Sequence, residues 1–428
     1  MMTYPETIDY LYGQMPNFQR QGAAALKELD LTTTRQLMAA IGNPETKFKS
    51  VHVAGTNGKG SSCHLIAAVL QAAGYRVGLY TSPHLKSFTE RIRISGKEIS
   101  QAAVVEFVDR SRPFIEELQP SFFEVTVAMA FDYFASQQVD IAIVEVGMGG
   151  RLDSTNVIQP LVSLITNIGL DHQQWLGDTL PKIAREKAGI MKPGIPTLVS
   201  QYQPEVMPVF AQIGEELGSP VMLAPAQWLV YRTPAGKFTI FRHGEVHLKD
   251  LTLGLRGHYQ QENLPGVLAV LEQLQAEDYW IGEEHIAKGF AEVVELTGLK
   301  GRWQILDESP LTVADTGHNA PGLQVILSQI QATSHQQLHW VWGMVADKDA
   351  HSVLSLLPPD ANYYFCAPKI PRAMAAQDLA AQAGALGLHG EVHASVKEAL
   401  AQVRAAAAPD DLIMIGGSTF VVAELDEL

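Results

Sequence analysis

Between Val51 and Ser61 the chain reads VHVAGTNGKGS, an apolar run that gives way abruptly to a lysine framed by glycines and followed by a hydroxyl residue. This pattern suits phosphate binding. Amide groups at a helix start have no intrahelical partner, the helix dipole favours an anion there, and glycines let the backbone approach closely. Lys59 adds a full positive charge. The spacing departs from the strict mononucleotide motif, because Gly60 separates Lys59 from Ser61 and Val53 stands where the first glycine belongs. An ordinary strand-to-helix turn would use the glycines for packing alone. The lysine and the hydroxyl residue favour the phosphate cradle. Glu145 poses a second chemical question, since it arrives at the carboxyl end of the run VDIAIVEV, and an acid buried there is costly without a metal ion or an arginine.

These groups need a scaffold. Val51 onward is a strand, and the apolar spacing from Ser62 to Ala73, stopped by Gly74, is a helix. Arg76 to Tyr80 is a second strand, ending in Thr81-Ser82-Pro83-His84-Leu85. Val139 to Val146 is a strand buried on both faces. Leu161 to Thr166 is another, followed by Asn167, Gly169, Asp171 and His172. Loops at the carboxyl ends of such strands share the edge where α/β proteins bind ligands. Helices are expected at Ile8 to Tyr12, Ala23 to Leu29, Thr33 to Ala40, Ser100 to Leu118 and Phe122 to Gln138, with a loop at Pro16 to Arg20. Glu90 to Ile94 alternates like an edge hairpin turning at Gly96. Trp228 to Leu251 reads as antiparallel hairpins around His243-Gly244. Gly298 to Arg302 reads as a hinge, after which strands and helices alternate again to Ile415. The expected fold is α/β: an N-terminal P-loop, doubly wound, mostly parallel sheet with a small antiparallel insertion over 1–298, and a Rossmann-like domain over 299–428.

Composition narrows the classes. The chain has 428 residues, 46% hydrophobic, enough for more than one core. A net charge of −15 with no basic stripe argues against nucleic acid. No apolar run reaches the roughly 18 residues that span a bilayer, and the N-terminus lacks a signal-peptide pattern. Two distant cysteines, Cys63 and Cys366, form no disulfide framework or metal knuckle. A cytoplasmic protein without a membrane partner is expected.

Read together, GTNGKGS at Gly55 to Ser61, TSPHL at Thr81 to Leu85, ERI at Glu90 to Ile92, EVGMGGRLDSTN at Glu145 to Asn156, GLDH at Gly169 to His172 and EKAGI at Glu186 to Ile190 resemble the folylpolyglutamate synthases and bifunctional dihydrofolate synthases of the Mur ligase superfamily. The likeness continues through Gly301-Arg302, DTGHNAPG at Asp315 to Gly322, GMVADKD at Gly343 to Asp349, CAP at Cys366 to Pro368 and GGS at Gly416 to Ser418. It spans nearly the whole chain in the family's order. Lys300 stands where the family usually has proline, and Thr316-Gly317 replaces a glycine- or valine-alanine pair.

The resemblance implies an ATP-dependent ligase that joins L-glutamate to folates, and to dihydropteroate in bifunctional members, through an acyl phosphate. It implies nucleotide binding by Thr56, Asn57, Gly58, Lys59, Gly60, Ser61, Asn263, Arg302 and Asp315, with ATP between the domains. It implies magnesium, as two ions, at Ser82, Glu145, His172 and Lys187, the lysine carrying a carbamate that its amine forms only when neutral and sheltered. Lys59, Lys187 and His318 are the catalytic candidates. Phe122, Phe123, Glu124, Leu152, Asp153 and Ser154 match stretches that line the pteroate pocket, where rings stack on a flat heterocycle. Taken alone, Lys187 would pass for a solvated helix lysine, His172 for a loop residue, Arg302 for a hinge ion pair, Asp315 for a helix cap and the two phenylalanines for core. A monomer is expected. The competing readings are a ligase of UDP-muramoyl cell-wall precursors and a P-loop kinase or nucleotide switch.

Overall fold

Strands Ser50–Ala54 (β1), Val77–Tyr80 (β2), Ile92–Ile94 (β3), Lys97–Glu98 (β4), Ile141–Glu145 (β5), Val162–Ile165 (β6), Thr197–Val199 (β7) and Val221–Leu223 (β8) form one sheet in the computed structural model of the chain, which describes residues 2–15, 30–346 and 349–428. Their order is β4-β3-β2-β5-β1-β6-β7-β8. All neighbours are parallel except at β3 and β4, which pair antiparallel at one edge. Every residue of β1, β2, β5 and β6 is buried, which is why these strands read as unbroken apolar runs. From β1 the chain crosses to β2 on one side, and from β5 it passes over β1 to β6 on the other. That reversal makes the carboxyl end of β1 a topological switch point.

Contacts divide the chain into two compact units. The first runs to Gly254 and resumes from Gln260 to Leu299; the second comprises Leu255–Tyr259 and Lys300–Leu428. In the first, the helix Lys59–Ala72 is buried from Gly60 to Leu70, enclosed by the sheet and by helices Gln260–Ala276 and Glu283–Ala291. Strands Trp228–Arg232 (β9), Phe238–Arg242 (β10) and Glu245–Leu251 (β11) make the separate antiparallel sheet, and His243 and Gly244 turn it with positive φ.

The second unit carries Gln304–Glu308 (β12), Leu311–Ala314 (β13), Leu338–Trp342 (β14), Asn362–Phe365 (β15), Gly390–Val392 (β16) and Leu412–Gly416 (β17), ordered β12-β13-β17-β14-β15-β16. Only β12 is antiparallel. Trp340, Trp342, Tyr363 and Phe365 pack in its core. Among the described residues no helix is long and apolar enough to cross a membrane.

Three expectations need correction. Glu90 and Arg91 lie in a 3-10 turn, Phe88–Arg91, and the strand begins only at Ile92. The Glu90 carboxylate accepts from the amides of Leu85, Lys86 and Ser87 and winds the chain there. Within the alternation expected up to Ile415, a helix read from the sequence as Ala373 to Ala385 starts only at Ala376, because Ala373 bridges Val345 and Met374 N donates to Met344 O. Strands β8, β12 and β16 have no counterpart in the sequence reading. All three are sheet edges with partial or full exposure, where one face gives no hydrophobic signal. The first helix is Tyr4–Gln14, held by a reciprocal Thr3 and Glu6 cap. The helix expected at Ala23 to Leu29, the loop at Pro16 to Arg20, and Asp347 and Lys348 of GMVADKD lie outside the described residues.

Candidate active site

β1 delivers Gly55 at φ +148° and Gly58 at φ +84°, and the helix opens at Lys59 with no side chain capping its first turn. Both glycines are sterically required. A methyl group at Gly55 would collide with the Thr166 side chain, and one at Gly58 with the Asn263 amide. The loop is woven into the segment that follows β6. Thr56 N donates to Asn167 O at 2.9 Å, Asn57 N to Asn167 Oδ1 at 2.9 Å, and Thr166 Oγ1 to Asn57 O at 2.6 Å. Thr56 Oγ1 donates to Gly169 O and accepts from Gly169 N. Behind the loop, Gln260 Nε2 donates to Ser61 Oγ at 3.1 Å, and Asn263 Nδ2 donates to Gln260 Oε1 at 2.8 Å.

Two ammonium groups converge on one carbonyl. Lys59 Nζ folds back to Gly55 O at 3.0 Å and Thr56 O at 3.1 Å. Lys187, the last residue of helix Leu180–Lys187, is only 4% exposed and its Nζ reaches the same Gly55 O at 2.7 Å. Burial, and next the charge of Lys59, bring its pKa down from 10.5 to about 7, while Asp171 and Asp153 oppose the shift. This amine therefore loses its proton far more readily than an exposed lysine.

The sheet order sets the ends of β2, β5, β1 and β6 side by side, so Ser82, Glu145, the glycine loop and His172 share one rim. Glu145 is 5% exposed and its Oε2 accepts from Ser82 N at 2.9 Å. Asp171 Oδ1 accepts from His172 N at 2.9 Å. Among the described residues no three His, Cys, Asp or Glu side chains converge as a metal cage. A carboxylate, a serine hydroxyl and one histidine instead suit a hard cation that keeps waters and takes phosphate oxygens. The Lys187 amine fits such a cation only after conversion to an anion.

Of the six acceptor-side candidates, Phe123 and Asp153 both lie close to Gly147. A methyl at Gly147 would collide with the Phe123 ring and lie 3.1 Å from Asp153 Oδ2. Asp153 caps the turn Ser154–Val157. Its carboxylate accepts from Thr155 N at 3.0 Å, Thr155 Oγ1 at 2.5 Å and Met148 N at 2.8 Å. Burial raises its pKa against these hydrogen bonds. Ser154 is buried and Leu152 half-buried in the same loop. Phe122 points elsewhere: it is 3% exposed, stacked on Tyr12 at 4.9 Å, with the Arg91 guanidinium 5.4 Å from its ring centre. Glu124 closes a helix cap, accepting from Ser121 N at 2.7 Å and from Thr34 Oγ1 at 3.0 Å.

In the second unit, Asp315 follows β13, 4% exposed. Tyr259 OH and Trp303 N each donate to its Oδ2 at 2.7 Å, and Gly317 N donates to Oδ1 at 2.8 Å. Burial raises its pKa, and the nearby Arg302 charge opposes that most. Arg302 donates to Thr316 Oγ1, and His318 Nδ1 lies 3.0 Å from Thr316 O, so Arg302, Asp315 and His318 share one loop cluster. The sequence reading passed over Tyr259, Thr166 and Gly147, and only Gly147, in a glycine-rich run, carried a local signal.

Residues 53–271 match the Mur ligase middle domain, and residues 301–419 match the Mur ligase glutamate ligase domain. The chain is 35% identical over 392 residues to the dihydrofolate synthase/folylpolyglutamate synthase of Bacillus subtilis, covering 88% of each. It is similar in structure to E. coli FolC in complex with DHPP and ADP, with a TM-score of 0.85, 30% identity, and 99% and 96% of the two chains covered. It is also similar to the bifunctional folylpolyglutamate synthase/dihydrofolate synthase of Yersinia pestis complexed with AMPPNP and Mn ion, with a TM-score of 0.85, 29% identity, and 99% and 97% covered.

Proposed function

The chain belongs to the folylpolyglutamate synthase/dihydrofolate synthase family of Mur-type ligases, and on that premise we propose that it joins L-glutamate to folates, and also to dihydropteroate, at the expense of ATP. A folate carboxylate oxygen attacks the γ-phosphorus of ATP, giving an acyl phosphate and ADP. The glutamate amine then attacks the acyl carbon and inorganic phosphate leaves. An acid and a triphosphate repel each other, so the site must gather positive charge before the in-line step. The observation that carries this reading is the convergence of Lys59 and Lys187 on the Gly55 carbonyl, at the rim that Glu145 and Asp171 share.

In this reading Thr56 to Ser61 cradle the β- and γ-phosphates, Lys59 neutralises charge on the transferred group, and Asn263, Arg302 and Asp315 hold the rest of the nucleotide. Ser82, Glu145, His172 and a carbamate on Lys187 would hold two magnesium ions, which supply charge neutralisation at phosphate oxygens when bound. A sheltered amine of lowered pKa is the condition for that carbamate. Phe123, Leu152, Asp153 and Ser154 face the acceptor, with Phe122 and Glu124 supporting them, and His318 contacts phosphate or glutamate. Residues 1–298 carry the phosphate loop, and 299–428 serve the glutamate and add Arg302 and Asp315 to the nucleotide, in a monomer.

Phosphate release measured with ATP and glutamate against tetrahydrofolate, dihydropteroate, a UDP-muramoyl acceptor and no acceptor tests the proposal. Release is expected only when glutamate and a pteridine acceptor are both present. Turnover indifferent to glutamate would falsify it, and silence with dihydropteroate alone would remove the second activity.

A further inference from the structure

His52 lies in the middle of β1, fully buried, three residues before the glycine loop, and nothing in the phosphate chemistry uses it. Its Nε2 is 2.9 Å from Thr155 Oγ1, and Thr155 Oγ1 is 2.5 Å from Asp153 Oδ1. A hydroxyl has one proton to give. With Asp153 ionised, Thr155 gives it to the carboxylate, its oxygen accepts from His52, and the His52 proton sits on Nε2. Burial keeps the ring neutral, with its pKa pushed down to about 3, and Nδ1 is buried without a hydrogen-bond partner. A buried ring held by a single hydrogen bond is a costly arrangement for packing alone, where an aliphatic side chain would serve.

The far end of this chain is the acceptor loop. Asp153 Oδ2 accepts from Met148 N, and Gly147 beside it is closely covered by the Phe123 ring. The same turn is pinned from its other side, where Asn156 Nδ2 donates to Arg151 O at 3.1 Å and Gly189 O at 2.9 Å, and Lys192 Nζ donates to Asn156 O at 3.0 Å. The Arg151, Gly189 and Lys192 links fix the backbone of the turn. Thr155 N and Met148 N hold the Asp153 carboxylate from the backbone, and the His52 link adds the orientation of the Thr155 hydroxyl that donates to Oδ1.

We propose that His52 is a positioning residue for the pteridine acceptor: acting through Thr155, it orients Asp153 and thereby the Gly147–Ser154 loop against Phe123. This rests on the reading of Asp153 and Phe123 as acceptor groups. Residues that orient metal ligands cost about 10- to 100-fold in affinity or activity when removed, and the low end of that range is expected for this organic ligand.

Kinetics of the full-length protein test it, with KM measured separately for tetrahydrofolate, glutamate and ATP. His52→Leu and Thr155→Val are expected to raise KM for tetrahydrofolate about tenfold, with KM for ATP unchanged. His52→Gln, which keeps a donor at Nε2, and Thr155→Ser, which keeps the hydroxyl, should restore it. Equal rises in all three KM values, or no rise, overturn the proposal. Asp153→Asn separates the layers: unchanged tetrahydrofolate KM there removes the acceptor reading and this proposal with it, whereas a raised KM beside a silent His52→Leu removes the relay alone. If the apolar variants do not fold, nitrogen-15 shifts of His52 in the unmutated protein decide. A proton on Nε2 supports the relay, and a proton on Nδ1 ends it.

Discussion

Lys59 and Lys187 donate to the same carbonyl oxygen, that of Gly55, at 3.0 and 2.7 Å. Two cations that share an acceptor raise each other's cost of charging, and burial together with the Lys59 charge brings the Lys187 pKa down to about 7. The proposed function gives the pair different tasks: Lys59 faces the phosphates from its own loop, and the buried Lys187 amine is the one proposed to carry a carbamate.

Lys59→Ala is expected to lower glutamate-dependent phosphate release on the order of 10³-fold, as loss of a charge aimed at the transferred group does. The fold should persist, because the side chain bonds only its own loop. Steady-state rates beside a thermal melt check both halves, and retained turnover would detach Lys59 from phosphate binding.

Lys187→Met should abolish ligation yet stabilise the protein. The folded pKa lies near 7 and the unfolded value near 10.5, so between these the unfolded chain holds a proton that the native state has given up. The lysine therefore weakens the fold progressively as pH drops from about 10.5 to about 7, and by a constant amount below that. In carbonate-free buffer the methionine variant should exceed the native protein in urea midpoint at pH 7, with the gap closing by pH ~10. Parallel curves at both pH values would contradict a buried neutral amine. Bicarbonate should raise native activity and leave the variant silent.

Phe122 and Phe123 should separate in their effects. Phe122→Ala empties a ring site packed against Tyr12, Phe88 and Arg91, and should cost about 3–5 kcal/mol of stability. Gly147→Ala pushes directly on Phe123 and should raise KM for tetrahydrofolate severalfold with KM for ATP unchanged. Denaturation midpoints and paired KM values measure this, and a Phe122→Ala variant of native stability would contradict the packing assigned to it.

What was legible in advance follows from the range of each interaction. The glycine loop could be read locally, since positive φ at Gly55 and Gly58 and close neighbours demand residues without a Cβ. The central strands could be read because burial on both faces leaves only apolar side chains. The edge strands β8, β12 and β16 could not, lacking one covered face. The pair Phe122-Phe123 looked uniform, yet consecutive helix positions point about 100° apart, so one ring entered the core and the other met Gly147.

By itself the sequence determined that a glycine-rich turn joins a buried strand to a helix, that buried parallel strands carry it, and that acids and a histidine follow neighbouring strands. Only the tertiary structure decided that Lys187, 132 positions from Gly55 in the chain, would lose its hydration and come to rest on that carbonyl. A pKa is a property of surroundings, and for Lys187 those surroundings are assembled from β1, the segment after β6 and the end of helix Leu180–Lys187, none of which is adjacent to it except the last. The same holds for His52, whose proton position follows from a hydroxyl 103 residues away.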